Sequence, residues 1–185
     1  MRKKKTKKQV ETFETLGQNL LKNSKLALLG AMSVYIAHNY SPAIESTIHR
    51  LAVDRGYTIA DPLDTMDGIE AAAIACAEID LDPNLCRSVA RIESGGDHSR
   101  VSNRGAVGLM QVMSATARKL CINADLYRQS DNARCGAAIL AYELDRHNDK
   151  LDHALQAYNG GPKCVGKCSE SVKYSKLVRS DYKRS

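Results

Sequence analysis

The chain has 185 residues, 43% hydrophobic and 26% charged, enough for one ordinary domain of about 100 to 150 residues with a core, plus a tail. With no Trp and one Phe that core is aliphatic, and eight Tyr supply the aromatic surface. The net charge of +6 is unevenly spread: residues 1 to 25 carry +6, residues 26 to 162 carry −5 and residues 163 to 185 carry +5.

The basic amino end, residues 1 to 25, runs into an apolar stretch, residues 26 to 44, that holds no Asp, Glu, Lys or Arg. Positive flanks stay on the cytoplasmic side, so the pattern is that of an export signal or a membrane anchor. The dense part, Leu26 to Ala37, has the length of a signal h-region, and Ser41-Pro42-Ala43 resembles a cleavage site; the long basic lead suits an uncleaved anchor equally. The other reading is an amphipathic cytosolic helix behind a solvated lysine run. Those lysines also suit nucleic acid, but no groove-reading motif accompanies them, and no nucleic-acid partner is expected. Residues 45 to 63, ending near Asp61-Pro62, read as a linker, and residues 64 to 185 as the domain.

Asp64 or Asp67 can cap a first helix over 68–79, rich in Ala and Ile. Asp82-Pro83 then supplies an N-cap with proline at the first helical position, and Leu85, Val89 and Ile92 fall on one face of a second helix, 83–93. Gly95 and Gly96 stop that helix directly after Glu93. Asp131 can cap a long Ala-rich helix to about His147, along which Tyr142 packs; a further helix, 151–158, ends at Asn159-Gly160-Gly161-Pro162. No sustained alternation of period two occurs, so the fold class is all-α.

Cys76, Cys86, Cys121, Cys135, Cys164 and Cys168 all follow the apolar segment, and an even number in an exported domain reads as disulfides. Fifteen pairings are open, of which the sequential one closes short loops. Zinc is the rival reading, but no C-x-x-C occurs and His98, His147 and His153 form no ligand pattern; neither metal nor cofactor is expected.

Glu93 is an isolated acid among apolar and small residues, at a helix carboxy end. Burial and the negative end of the helix dipole both raise a carboxyl pKa, which suits a general acid for glycosidic cleavage. The ordered strings Glu93-Ser94-Gly95, Gly105-Ala106-Val107-Gly108-Leu109-Met110-Gln111 and Ala157-Tyr158-Asn159-Gly160-Gly161-Pro162 resemble the soluble lytic transglycosylase (SLT) domain, related to goose-type lysozyme, over roughly residues 83 to 182. Ser114 stands where that family usually has proline, and Gly96 where an aromatic is common.

The resemblance implies a lysozyme-like fold and peptidoglycan glycan strands as substrate. It implies that Glu93 protonates the oxygen between N-acetylmuramic acid and N-acetylglucosamine, then takes the proton of the muramoyl 6-hydroxyl, leaving a 1,6-anhydromuramoyl end. Ser94, Gly108, Met110, Gln111, Tyr158, Asn159 and Tyr174 become the implied substrate-binding residues. Leu109 and Val112 read as core, and Asp97 as surface; an Asp97 lining the cleft would instead favour a hydrolytic muramidase. The small size resembles specialised enzymes that open the wall locally for secretion, conjugation or phage machinery; the amino-terminal segment, as export signal or anchor, gives the expected location, periplasmic or cell-envelope. The basic stretch 163–184 reads either as an attractor of the anionic wall polymer or as a solvated tail. A non-catalytic wall-binding assembly protein is the rival from another class.

Overall fold

The first two helix starts among the described residues are set by short acidic side chains. The Asp67 carboxylate accepts the amides of Ile69 and Glu70 and opens α1 (Gly68–Glu78); Asp82 accepts the Asn84 amide and, with Pro83, opens α2 (Pro83–Glu93). The structure, a computed structural model, describes residues 61–185. The apolar segment 26–44, the basic segment before it and all but the end of the 45–63 linker lie outside the described residues.

After α2 come two antiparallel two-residue strands, β1 (Ala106–Val107) and β2 (Val112–Met113), in register Ala106 to Met113. These strands are too short for any periodicity to reveal. Four more helices follow: α3 (Ser114–Leu120), α4 (Gln129–Arg146), α5 (Leu151–Gly160) and α6 (Ser169–Tyr182). The unit Leu63–Ser185 is a helical assembly in which α1 packs on α2 and α4, α5 on α4 and α6, and α2 on α6.

Three boundaries differ from the sequence expectation. Asp131 lies inside the first turn of α4 and accepts the Asp125 amide; the Asp64 carboxylate comes from the 3-10 turn Pro62–Asp64 to accept the Ser130 amide. Helix α5 runs on through Asn159 to Gly160, and the chain turns at Gly161 with φ +79°. The basic carboxy-terminal stretch is no tail: it forms α6, whose Tyr174 and Val178 are buried in the core. Tyr142, expected to pack, is exposed on α4.

The core is aliphatic, built from Leu85, Val89, Leu109, Met110, Leu140, Leu155 and Val178 with a lining of alanines. All six cysteines pair in sequential order. Cys76–Cys86 ties α1 to α2, Cys121–Cys135 ties the end of α3 to α4, and Cys164–Cys168 closes the turn before α6. Among the described residues, no helix is long and apolar enough to cross a membrane, and no His, Cys, Asp and Glu cluster is arranged to hold a metal ion.

Candidate active site

Glu93 is the last residue of α2, half-buried, and its carboxyl lines a cleft of about 420 Å³. Burial pushes its pKa up to about 7, against smaller lowering effects of the Tyr174 hydroxyl and the Arg100 charge. The acid is therefore poised to exchange a proton near neutrality.

The end of α2 is fastened to the loop that faces it. Ser94 is buried; its hydroxyl donates to the Leu109 carbonyl (2.8 Å) and accepts the Gly96 amide (3.1 Å). This side chain holds the acid's backbone and is not among the cleft-lining residues, so of the two roles open to its hydroxyl, holding the sugar or steadying the acid, its contacts fit the second. Gly96 has φ +91° and its carbonyl presses on Gly68, where a Cβ would meet it at 2.2 Å. An aromatic side chain at position 96 would have to adopt a left-handed backbone.

Gly108 and Met110 also serve the scaffold. Gly108 has φ +77°, and a Cβ there would stand 2.3 Å from the Asn132 amide nitrogen, so the close approach it permits is to α4 and not to a glycan. The Met110 side chain is fully buried against Gly136 of α4 and does not line the cleft. Its carbonyl accepts the Tyr158 hydroxyl at 2.9 Å, which anchors that ring at the cleft. Leu109 and Val112 are buried in the core.

Gln111 does line the cleft. It sits in the left-handed region at φ +47°, an uncommon conformation for a residue with a side chain, and its amide donates to the carbonyls of Gly108 (2.8 Å) and Arg100 (3.1 Å). Asn159 is exposed at the cleft, its side-chain oxygen held by the Ser171 hydroxyl at 3.0 Å. Tyr174 is buried behind the acid. Its hydroxyl adjoins the Glu93 carboxyl without making a well-formed hydrogen bond to any group. Burial and the neighbouring Glu93 raise the pKa of both Tyr158 and Tyr174, so both phenols stay neutral donors. Asp97 is exposed, engaged with the Ser99 amide and hydroxyl, and away from the cleft.

Sequence reasoning missed three residues. Asn132, buried on α4, holds the whole loop: its amide donates to the carbonyls of Val107 (2.8 Å) and Leu126 (2.9 Å), and its oxygen accepts the Met110 amide (2.8 Å). The signal was an asparagine on the apolar side of an Ala-rich helix, where an unpaired amide would be costly. Arg104 and Glu170 both line the cleft and face each other at 3.6 Å. Glu170 precedes Tyr174 by four residues, one helical turn, so a helix over the carboxy-terminal stretch would have placed the two on one side.

A single acid with a raised pKa in a cleft of a helical domain, beside two neutral phenols, is the arrangement that a general acid needs. The chain matches the transglycosylase SLT domain over residues 70–177, and it belongs to that family. It is 42% identical over 92 residues to a protein described as "Transglycosylase" from Enterobacteria phage PRD1, a match covering 50% of this chain and 34% of that one. The chain thus spans about a third of the curated relative it matches. Its fold resembles the lytic transglycosylase Slt of Pseudomonas aeruginosa (TM-score 0.55, 20% identity, covering 90% of this chain and 34% of that one). It equally resembles the 70 kDa soluble lytic transglycosylase of Escherichia coli (TM-score 0.55, 18% identity, covering 94% and 34%).

Proposed function

We propose that this protein is a peptidoglycan lytic transglycosylase acting on the β-1,4 bond between N-acetylmuramic acid and N-acetylglucosamine. The observation that carries the reading is the Glu93 carboxyl, held at a pKa of about 7 in the cleft that Gln111, Tyr158 and Asn159 line. Protonated Glu93 gives its proton to the bridging oxygen as the bond to the anomeric carbon breaks. The resulting carboxylate accepts the proton of the muramoyl 6-hydroxyl as that oxygen bonds to the anomeric carbon. The product is a 1,6-anhydromuramoyl end, Glu93 is again protonated, and no water is consumed.

Tyr158, Tyr174 and Asn159 supply neutral donors and acceptors around that exchange; Ser94, Gly108 and Met110 keep the acid and the loop in place. The setting in which we place the enzyme is the cell envelope, reached by the apolar segment 26–44 as signal or anchor. There it opens the wall locally for an envelope-spanning or phage assembly, a context that the phage relative supports.

Glu170 favours one second reading. It is a second carboxylate lining the same cleft, and in a hydrolytic muramidase it would activate water. Its exposure and its contact with Arg104 speak for the single-acid scheme. Digesting purified peptidoglycan with the oxidised full-length protein and with Glu93→Gln, then reading the released fragments by mass spectrometry, separates them. Glu93-dependent anhydromuramoyl ends are expected; reducing ends mean a muramidase, and binding without release means a wall-binding protein.

A further inference from the structure

One pair of charges in the cleft is not used by the single-acid reaction. Arg104 stands in a turn that its neighbours fix: the Gly105 amide donates to the Ser102 carbonyl (2.9 Å), the Ser102 amide to the Ala106 carbonyl (2.8 Å), and the Ala106 amide to the Ser102 hydroxyl (3.0 Å). Its backbone is held while its side chain, 82% exposed, reaches into solvent toward Glu170 in the first turn of α6, itself 70% exposed. Their nearest nitrogen and oxygen are 3.6 Å apart.

That contact is longer than those of the well-anchored arginines and matches the 3.5 Å contact of exposed Arg184 with Asp181. Arg87, Arg134 and Arg179 meet their carboxylates at 2.8, 2.8 and 2.6 Å, in hydrogen-bonding range. An exposed ion pair at 3.6 Å is held weakly, and it leaves the fork of guanidinium donors, which matches a carboxylate two-pronged, largely uncommitted. The glycan backbone is neutral; the negative charge of a peptidoglycan strand sits on the carboxylates of its peptide stems. Arg104 is the one cation among the described residues that line the cleft holding Glu93.

We propose that Arg104 selects glycan strands bearing carboxylate-rich peptide stems, exchanging its loose contact with Glu170 for a stem carboxylate as the strand enters. The inference rests on the transglycosylase reading above. Its chemistry is recognition only; no bond is made or broken by Arg104.

The test uses the full-length protein on two probes: glycan strands whose stem carboxylates are free, and the same strands with those carboxylates converted to amides. The wild type is expected to prefer the strands with free carboxylates. Arg104→Ala lowers kcat/KM on them about tenfold, the order of one charge-assisted contact, through KM rather than kcat, with a much smaller loss on amidated strands. Arg104→Lys recovers part of the loss, and the wild-type preference shrinks as salt rises. Equal losses on both probes, or no wild-type preference, overturn the selection while leaving the transglycosylase reading intact. A wild type that cleaves neither probe overturns both.

Discussion

Burial of the Glu93 carboxyl acts on activity and on stability in one direction as pH rises. The acid must start protonated, so with a pKa of about 7 the rate should fall through that pH toward the alkaline side, measured as log kcat/KM against pH. The folded protein likewise binds the Glu93 proton more tightly than the unfolded chain does. Stability from this group is therefore full below the ordinary value of 4.5 and is lost as pH rises toward 7, by at most about 3 kcal/mol. Glu93→Gln should abolish turnover yet melt higher than the wild type at pH 8, while the two converge near pH 4; calorimetry at both values checks this. Tyr174→Phe offers a second handle. Its buried hydroxyl lowers the Glu93 pKa without forming a good bond, so its removal should move the alkaline limb of the rate profile upward at little cost in stability.

At the scale of elements, the site is a loop clamped between two helices, and the clamp is Asn132 on α4. Asn132→Ala strips three hydrogen bonds and leaves two carbonyls and an amide unpaired in a buried position. A loss of about 3 kcal/mol in urea unfolding is expected, with kcat reduced because Tyr158 is anchored on Met110 of the same loop. These elements also show where sequence patterns inform and where they do not. α1 and α2 were legible because a local acid caps each and proline marks the second, and Glu93 was legible because Gly95 and Gly96 end its helix at once. The start of α4 was not, since its cap comes from Asp64, 66 residues before Ser130. Local reading assigned that role to Asp131, which in fact holds the Asp125 amide. Ser94, Gly108 and Met110 illustrate the same limit at the site. Their place in a motif is visible in the sequence, whereas whether such a side chain faces a ligand or the scaffold depends on Leu109, Asn132 and Gly136, which only the fold brings near.

For the molecule as a whole, the uneven charge acquires a location through α6. A basic stretch without apolar periodicity obvious to the eye reads as tail, but Tyr174 and Val178 are spaced by four and turn into the core, so Lys173 and Lys176 on α6 and Lys183 at its carboxy cap are presented from a fixed element. Arg179 is engaged with Asp152 and Glu170 with Arg104, which leaves these lysines of α6 and its cap to act at a distance. A cationic face next to a cleft raises the encounter rate with a polyanion, and salt screens it over about 10 Å at 0.1 M. Replacing the three lysines by glutamine should therefore slow association with intact sacculi several-fold at low salt and leave the rate at 0.5 M salt close to that of the wild type. The effect should appear in the association phase of binding and in KM, not in kcat, because none of the three lines the cleft. A salt dependence unchanged by the substitutions would mean that the lysines only solvate the helix, and that attraction to the wall resides elsewhere in the chain.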